Sequence, residues 1–195
     1  MANIWAVHSV GHSIVTFLRN AYPQQIDGVD LPGCTFELMS TGQLAGEIDE
    51  TTRITLYLYR VTVDEHLRQT RRPGRSSGAV PLGVDLHYMM TAWAANPLDE
   101  QVPLAWAMRQ LHQVPMLDRA LLSPDGGWGR DEAVQIIPSE LSTEDIMRIW
   151  DALEPAYRLS TSYVARVVRL DPDVDDELFE PVVSRRLAFG EELTQ

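Results

Sequence analysis

The sequence contains no lysine: all 16 basic residues are arginine. This absence excludes a phosphate loop of the Gly-Lys-Ser/Thr type, a kinase strand lysine and any Schiff-base chemistry run by a lysine of this chain. Cysteine is nearly absent too. Cys34 stands alone, which excludes an internal disulfide, a Cys-x-x-Cys redox pair and a cysteine-rich zinc or iron–sulfur site. A chain without disulfides suits a reducing compartment, and cytoplasmic residence is the expectation. No run of 18 apolar residues occurs, so no membrane-spanning helix is expected. The start, Met1-Ala2-Asn3-Ile4-Trp5, lacks a positive region before an apolar stretch and does not read as a secretory signal.

What is present describes a foldable chain. It has 195 residues, 45% hydrophobic and 23% charged, values ordinary for a globular protein. A chain of this size buries about 70% of its unfolded surface, enough for one core without staples. The 28 carboxylates give a net charge of −12. Such a field repels a phosphate backbone, so nucleic acid is not an expected partner.

The period of apolar residues predicts the elements. Ile4, Val7, Gly11, Ile14 and Leu18 recur on one helical face within the first twenty residues, and Pro23 ends the pattern. Thr35 to Ser40 reads as a short strand. Arg53 to Val63 reads as a strong one, with Ile54, Leu56 and Leu58 on one face and Thr55, Tyr57, Tyr59 and Val61 on the other, which implies cover on both sides. Residues 64–83 turn polar and arginine-rich, as in a long loop. Val84 to Ala94 resumes strand character. A helix is predicted from Asp99 to Gln113, with Pro103 tolerable only in its first turn and Leu104, Ala107, Met108 and Leu111 inward. Glycines 126, 127 and 129 mark a turn, and Val134 to Ile137 a short strand. Ser142 and Asp145 form a capping-box-like start for a helix carrying Ile146, Ile149, Trp150 and Leu153. Ser162 to Leu170 is a last strand. This order predicts an α+β domain over residues 1–170, a mainly antiparallel or mixed sheet flanked by helices, rather than a doubly wound fold.

Residues 171–195 form a separate unit in this reading. They hold eight carboxylates and two arginines, half of the net charge. The Asp171–Glu177 run, with Asp173, Asp175 and Asp176, cannot bury itself. Phe179, Val182, Val183 and Phe189 follow, interleaved with Arg185 and Arg186. A purely solvated tail has no use for them, whereas an arm that docks on another surface does.

The candidate chemical motifs are weak. Gly74-Arg75-Ser76-Ser77-Gly78 matches a nucleophile elbow, but Pro73 before it and Pro81 after it do not supply the required strand and helix. His8 and His12 have metal-ligand spacing without a third ligand or the adjacent glutamate of zinc hydrolases. Asp85 and His87 share a strand face and are candidates for a metal or a general base. Satisfied, partly buried side chains explain both pairs more simply. Asp64-Glu65-His66 at a loop edge is simply solvated. No catalytic set, metal or cofactor is assigned, and a metal-dependent hydrolase or a soluble adaptor stand as the alternative functions. Arg68, Arg71, Arg72 and Arg75 concentrate a quarter of the basic residues, which reads either as a patch for phosphate or a carboxylate-rich protein surface or as a solvated loop.

Three stretches then acquire meaning together: Asp85-Leu86-His87-Tyr88-Met89-Met90-Thr91-Ala92-Trp93, Ala107-Met108-Arg109-Gln110-Leu111-His112, and Tyr157-Arg158-Leu159-Ser160 running into Tyr163-Val164-Ala165-Arg166-Val167-Val168. With the Leu141–Asp145 helix start and Trp150, the set resembles the cap, or tail-terminator, proteins of contractile injection systems. These are phage-tail-like particles with an inner tube and a contractile sheath. The resemblance implies a tail-terminator-like fold and a structural role without catalysis. It implies a homohexameric ring, assembled in the cytoplasm into the particle, that contacts tube and sheath at the end far from the baseplate. Trp106 departs from the pattern, where a small residue is expected, and some relatives carry a further C-terminal domain. The interface candidates are Arg68, Arg71, Arg72 and Arg75, with Asp173, Asp175, Asp176, Glu177, Phe179, Val182, Val183, Arg185, Arg186 and Phe189.

Overall fold

The computed structural model describes residues 2–46, 51–64, 81–153 and 155–171. Helix α1, Ala6–Ala21, is followed by strands β1 (Gln25–Ile26), β2 (Val29–Asp30) and β3 (Thr35–Met39) and a single turn, α2 (Thr41–Leu44). The long strands β4 (Arg53–Val63) and β5 (Leu82–Trp93) precede α3 (Pro97–Gln113). The last elements are β6 (Met116–Leu117), β7 (Val134–Ser139), α4 (Thr143–Leu153) and β8 (Ser160–Leu170). Among the described residues six strands form one mixed sheet in the order β3-β4-β5-β8-β7-β6. Only the β3–β4 pair is parallel. The expected α+β architecture is the observed one.

Alternation along the strands divides the sheet into two apolar faces. One face carries Ile54, Leu56, Leu86, Tyr88, Met90, Tyr163 and Ala165, and α1 and α3 lie in the same core. The other carries Met89 and Trp93 beneath Trp150 and Leu153 of α4 and Leu44 of α2. Trp93 meets Trp150 edge-on, with ring centroids 5.9 Å apart, and the Arg158 guanidinium sits 5.5 Å from the centre of the Trp93 ring. Gly11 lets α1 approach the sheet. A Cβ there would stand 2.8 Å from a Leu38 methyl and 3.2 Å from the Tyr88 ring.

Several sequence expectations need correction. Ile4 precedes α1 and is 77% exposed, because the chain has not yet entered the helical period there. Helix α3 starts two residues earlier than expected. Asn96 caps it by accepting a hydrogen bond from the Asp99 amide at 3.0 Å. Pro103 therefore lies inside the helix, where it removes one amide donor. Met108 is exposed, while Trp106 is buried against Tyr22, 4.8 Å between centroids, and Phe36, 5.9 Å. The helix is covered on a second flank, so its buried arc is wider than the stripe counted from Leu104, Ala107 and Leu111. The two-residue strands β1 and β2 carry no period and were not expected. Their turn, Asp27-Gly28 with φ of 52° and 79°, has the residue pair such hairpins require.

Candidate assembly interface

The sheet directs two chain segments to one place. Strands β4 and β8 are each antiparallel to β5, so they run the same way and finish at the same end. There Val63 stands opposite Val84, and Leu82 opposite Leu170. The Asp64 amide donates to the Gly83 carbonyl at 2.9 Å, and the Asp171 amide donates to the Ala2 carbonyl, also at 2.9 Å. The chain on either side of 65–80 and the chain entering the C-terminal arm are thus anchored on neighbouring strands. All fourteen interface candidates (Arg68, Arg71, Arg72 and Arg75 in the loop, and the ten from Asp173 to Phe189) lie outside the described residues. So does the Gly74–Gly78 motif. What the structure adds is where their connections leave the domain.

An apolar surface surrounds that end. Strand β3 accompanies β4 only as far as Met39 opposite Tyr57. Strand β4 continues from Leu58 to Val63 with no strand on that side among the described residues. Val61, expected on the face of Tyr57 and Tyr59, lies instead on the face of Leu58, because a bulge between Leu58 and Arg60 shifts the alternation by one residue. It and Val63 are 48% and 46% exposed although their partners on β5, Leu86 and Val84, are buried. Where β3 stops, a groove of about 520 Å³ opens between Ile4 and Trp5 on one side and Leu38, Leu58 and Tyr88 on the other. Trp5 is 64% exposed. Sequence reasoning missed this surface because it depends on which strands pair and on their unequal lengths, and no local motif encodes pairing.

The polar candidates resolve differently. His8 and His12 stack, with centroids 6.0 Å apart, but both are exposed rather than partly buried. They stand on the outer face of α1, because Ser9, Val10, Ser13 and Ile14 take the inner one. No cluster of three or more metal-ligating side chains occurs among the described residues. His87 is half-buried, with Nε2 3.0 Å from the Thr62 hydroxyl and its ring 6.0 Å from that of Tyr59. Burial, reinforced by Arg60 and opposed by Asp85, pulls its pKa below the ordinary histidine value. That arrangement makes His87 a cross-strand partner of Thr62. Cys34 is pushed up to about 12 by burial, which makes it a packing residue rather than a nucleophile. No helix among the described residues is long and apolar enough to cross a membrane.

Comparison with known proteins places this fold. The family described as the Pvc16 N-terminal domain matches residues 9–185. Among solved structures, the sheath/tube terminator of an extracellular contractile injection system, PVC, in its extended state, is similar with a TM-score of 0.59 at 20% identity. That match covers 96% of this chain and 65% of the terminator. The tube-terminating cap of the anti-feeding prophage is similar with a TM-score of 0.53 at 17% identity, over 93% of this chain and 59% of the cap. The chain therefore spans about two thirds or less of the lengths of both. No curated protein matches it.

Proposed function

The chain belongs to the Pvc16 N-terminal domain family, and we propose that it is the cap of a contractile injection system. In this reading it closes the end of tube and sheath far from the baseplate and ends their assembly. The observation that carries it is the extent of the fold likeness. Two terminators of such particles superpose on nearly all of this chain rather than on one motif. The role is structural: the subunit is made in the cytoplasm, joins six copies into a ring and acts by contact with tube and sheath, not by catalysis.

A closed ring needs a heterologous interface, in which one surface meets a different surface on the next copy. The arginine segment with Arg68, Arg71, Arg72 and Arg75 and the acidic start of the arm supply opposite charges for it. Their connections leave from neighbouring strands at one end of the sheet. In a ring, that end of one subunit faces the next, and the arm with Phe179, Val182, Val183 and Phe189 reaches beyond its own domain.

Particle length by negative-stain microscopy, with the gene intact, deleted and truncated after Leu170, tests the proposal. Deletion should give overlong or ragged sheaths, and truncation should leave a folded domain that caps poorly. Particles of unchanged length and stability after deletion overturn the cap reading.

A further inference from the structure

We propose that the outer edge of β4, from Leu58 to Val63, is an acceptor site for a strand formed by residues 182–189 of a neighbouring copy. The proposal rests on the ring reading above and names the surface through which the arm acts.

The edge is unusual in what it leaves uncovered. A sheet edge exposes a row of amide and carbonyl groups ready to pair with another chain, and proteins blunt such edges with charge, proline or short length. Here the parallel partner β3 stops at Met39, while β4 continues for six residues. Those six are Leu58, Tyr59, Arg60, Val61, Thr62 and Val63. Arg60 is the one charged residue among them. A bulge interrupts the β4–β5 register between Leu58 and Arg60, and the regular stretch beyond it, Val61 to Val63, favours a pleated surface. None is a proline. Val61 and Val63 point to the same face as the buried Leu86 and Val84 but remain about half exposed. The groove beside Ile4, Trp5 and Leu58 continues that exposed surface where β3 ends. An added strand pairs with the backbone groups that no described strand pairs, and every second side chain of it falls on Val61, Val63 and the groove.

The arm has the matching pattern. Pro181 cannot donate within a ladder, so a pairing segment has to start after it. After it, the sequence alternates: an extended chain would set Val183, Arg185, Leu187 and Phe189 on one side and Val182, Ser184, Arg186 and Ala188 on the other. The connection from Asp171 to this strand, residues 172–181, spans up to about 33 Å when extended. It is rich in carboxylates and is suited to stay in water between two subunits.

The topology favours a neighbour's arm over the chain's own. Strand β8 lies two positions from β4, on the far side of β5. A returning arm must pass the end of the β4–β5 hairpin, where the chain leaves after Asp64 and re-enters at Pro81. A neighbour's arm approaches the edge from outside and meets no such crossing.

Amide exchange on the full chain tests this, with a synthetic peptide of residues 178–195 as the probe. Exchange at 58–63 should slow at least about tenfold as the peptide is added or as the chain self-associates. A peptide carrying Val183→Asp and Leu187→Asp should have no effect, and this control leaves the protein fold untouched. In the protein, Val61→Asp with Val63→Asp should abolish the slowing, with circular dichroism checking that the domain still folds. Unchanged exchange at millimolar peptide overturns the proposal. So does protection already present in a fraction that sediments as monomer, because the edge then belongs to the chain's own arm. Particle length judges the cap reading separately: overlong particles on deletion, together with no peptide effect, leave the cap standing and remove this acceptor site.

Discussion

Leu82 and Leu170 face each other across the β5–β8 ladder, and this pairing joins two otherwise unrelated charged segments. The basic run follows β4 and precedes β5, while the acidic run follows β8. Because of this pairing, the chain runs into both segments from adjacent strands at one end of the sheet.

Reversing charge in the basic segment should therefore affect assembly more than stability. If the polar, arginine-rich segment is the loop that the sequence predicts, Arg71→Glu with Arg72→Glu is expected to change unfolding free energy by no more than about 0.5 kcal/mol. The same pair should weaken self-association, and added salt should weaken the unaltered protein in the same direction. Sedimentation across a salt series checks both, and self-association indifferent to salt removes the charge contact.

Gly11 sits where helix and sheet touch. Alanine gains helix propensity of up to about 1 kcal/mol over glycine. Its Cβ, however, must displace a Leu38 methyl at 2.8 Å and press on the fully buried Tyr88. The Leu38 tip can turn aside, so Gly11→Ala should stay within about 1 kcal/mol of the parent. Gly11→Val adds branches that Tyr88 cannot yield to, and a loss of about 2–3 kcal/mol in urea unfolding is expected from overpacking.

Trp106 fills the space between Tyr22 and Phe36. Trp106→Ala should cost about 3–5 kcal/mol by leaving a cavity, seen as an earlier denaturation midpoint. A loss below about 1 kcal/mol would show that this flank of the core collapses freely.

His87 gives stability a pH dependence of known sign. Its folded pKa lies below the ordinary value, so the unfolded chain binds the proton more readily than the folded one. The penalty is absent well above the ordinary histidine pKa of about 6.5 and grows as pH falls through and below it. The parent should lose melting temperature between about pH 7 and pH 5. His87→Gln, which keeps a partner for Thr62, should show a smaller loss over that range. Parallel curves for the two proteins would place the titration elsewhere.

Cys34 should resist alkylation. With its thiol pKa raised to about 12, the thiolate is scarce at pH 8 and the group is partly covered. Labelling by iodoacetamide should be slow in the folded protein and rapid once denaturant is added.

The sequence by itself determined the elements with a strong period. Arg53–Val63 forms β4 as its period predicts, although the alternation shifts at the bulge after Leu58, and Ile146, Ile149, Trp150 and Leu153 recur at helical spacing and form the inward side of α4. It also determined the separation of opposite charges into two segments, since charge is a property of composition. Tertiary structure alone decided which strands pair. Among the described residues, whether β4 lies between two strands along its whole length or only part of it depends on β3 ending opposite Tyr57, a pairing that no local pattern encodes. It decided, too, that Ile4 and Trp5 stay in water and that Trp106 is buried, because exposure is set by what another segment covers. Local pattern fixes how a side chain points from its own backbone; only the packed chain fixes what stands opposite it.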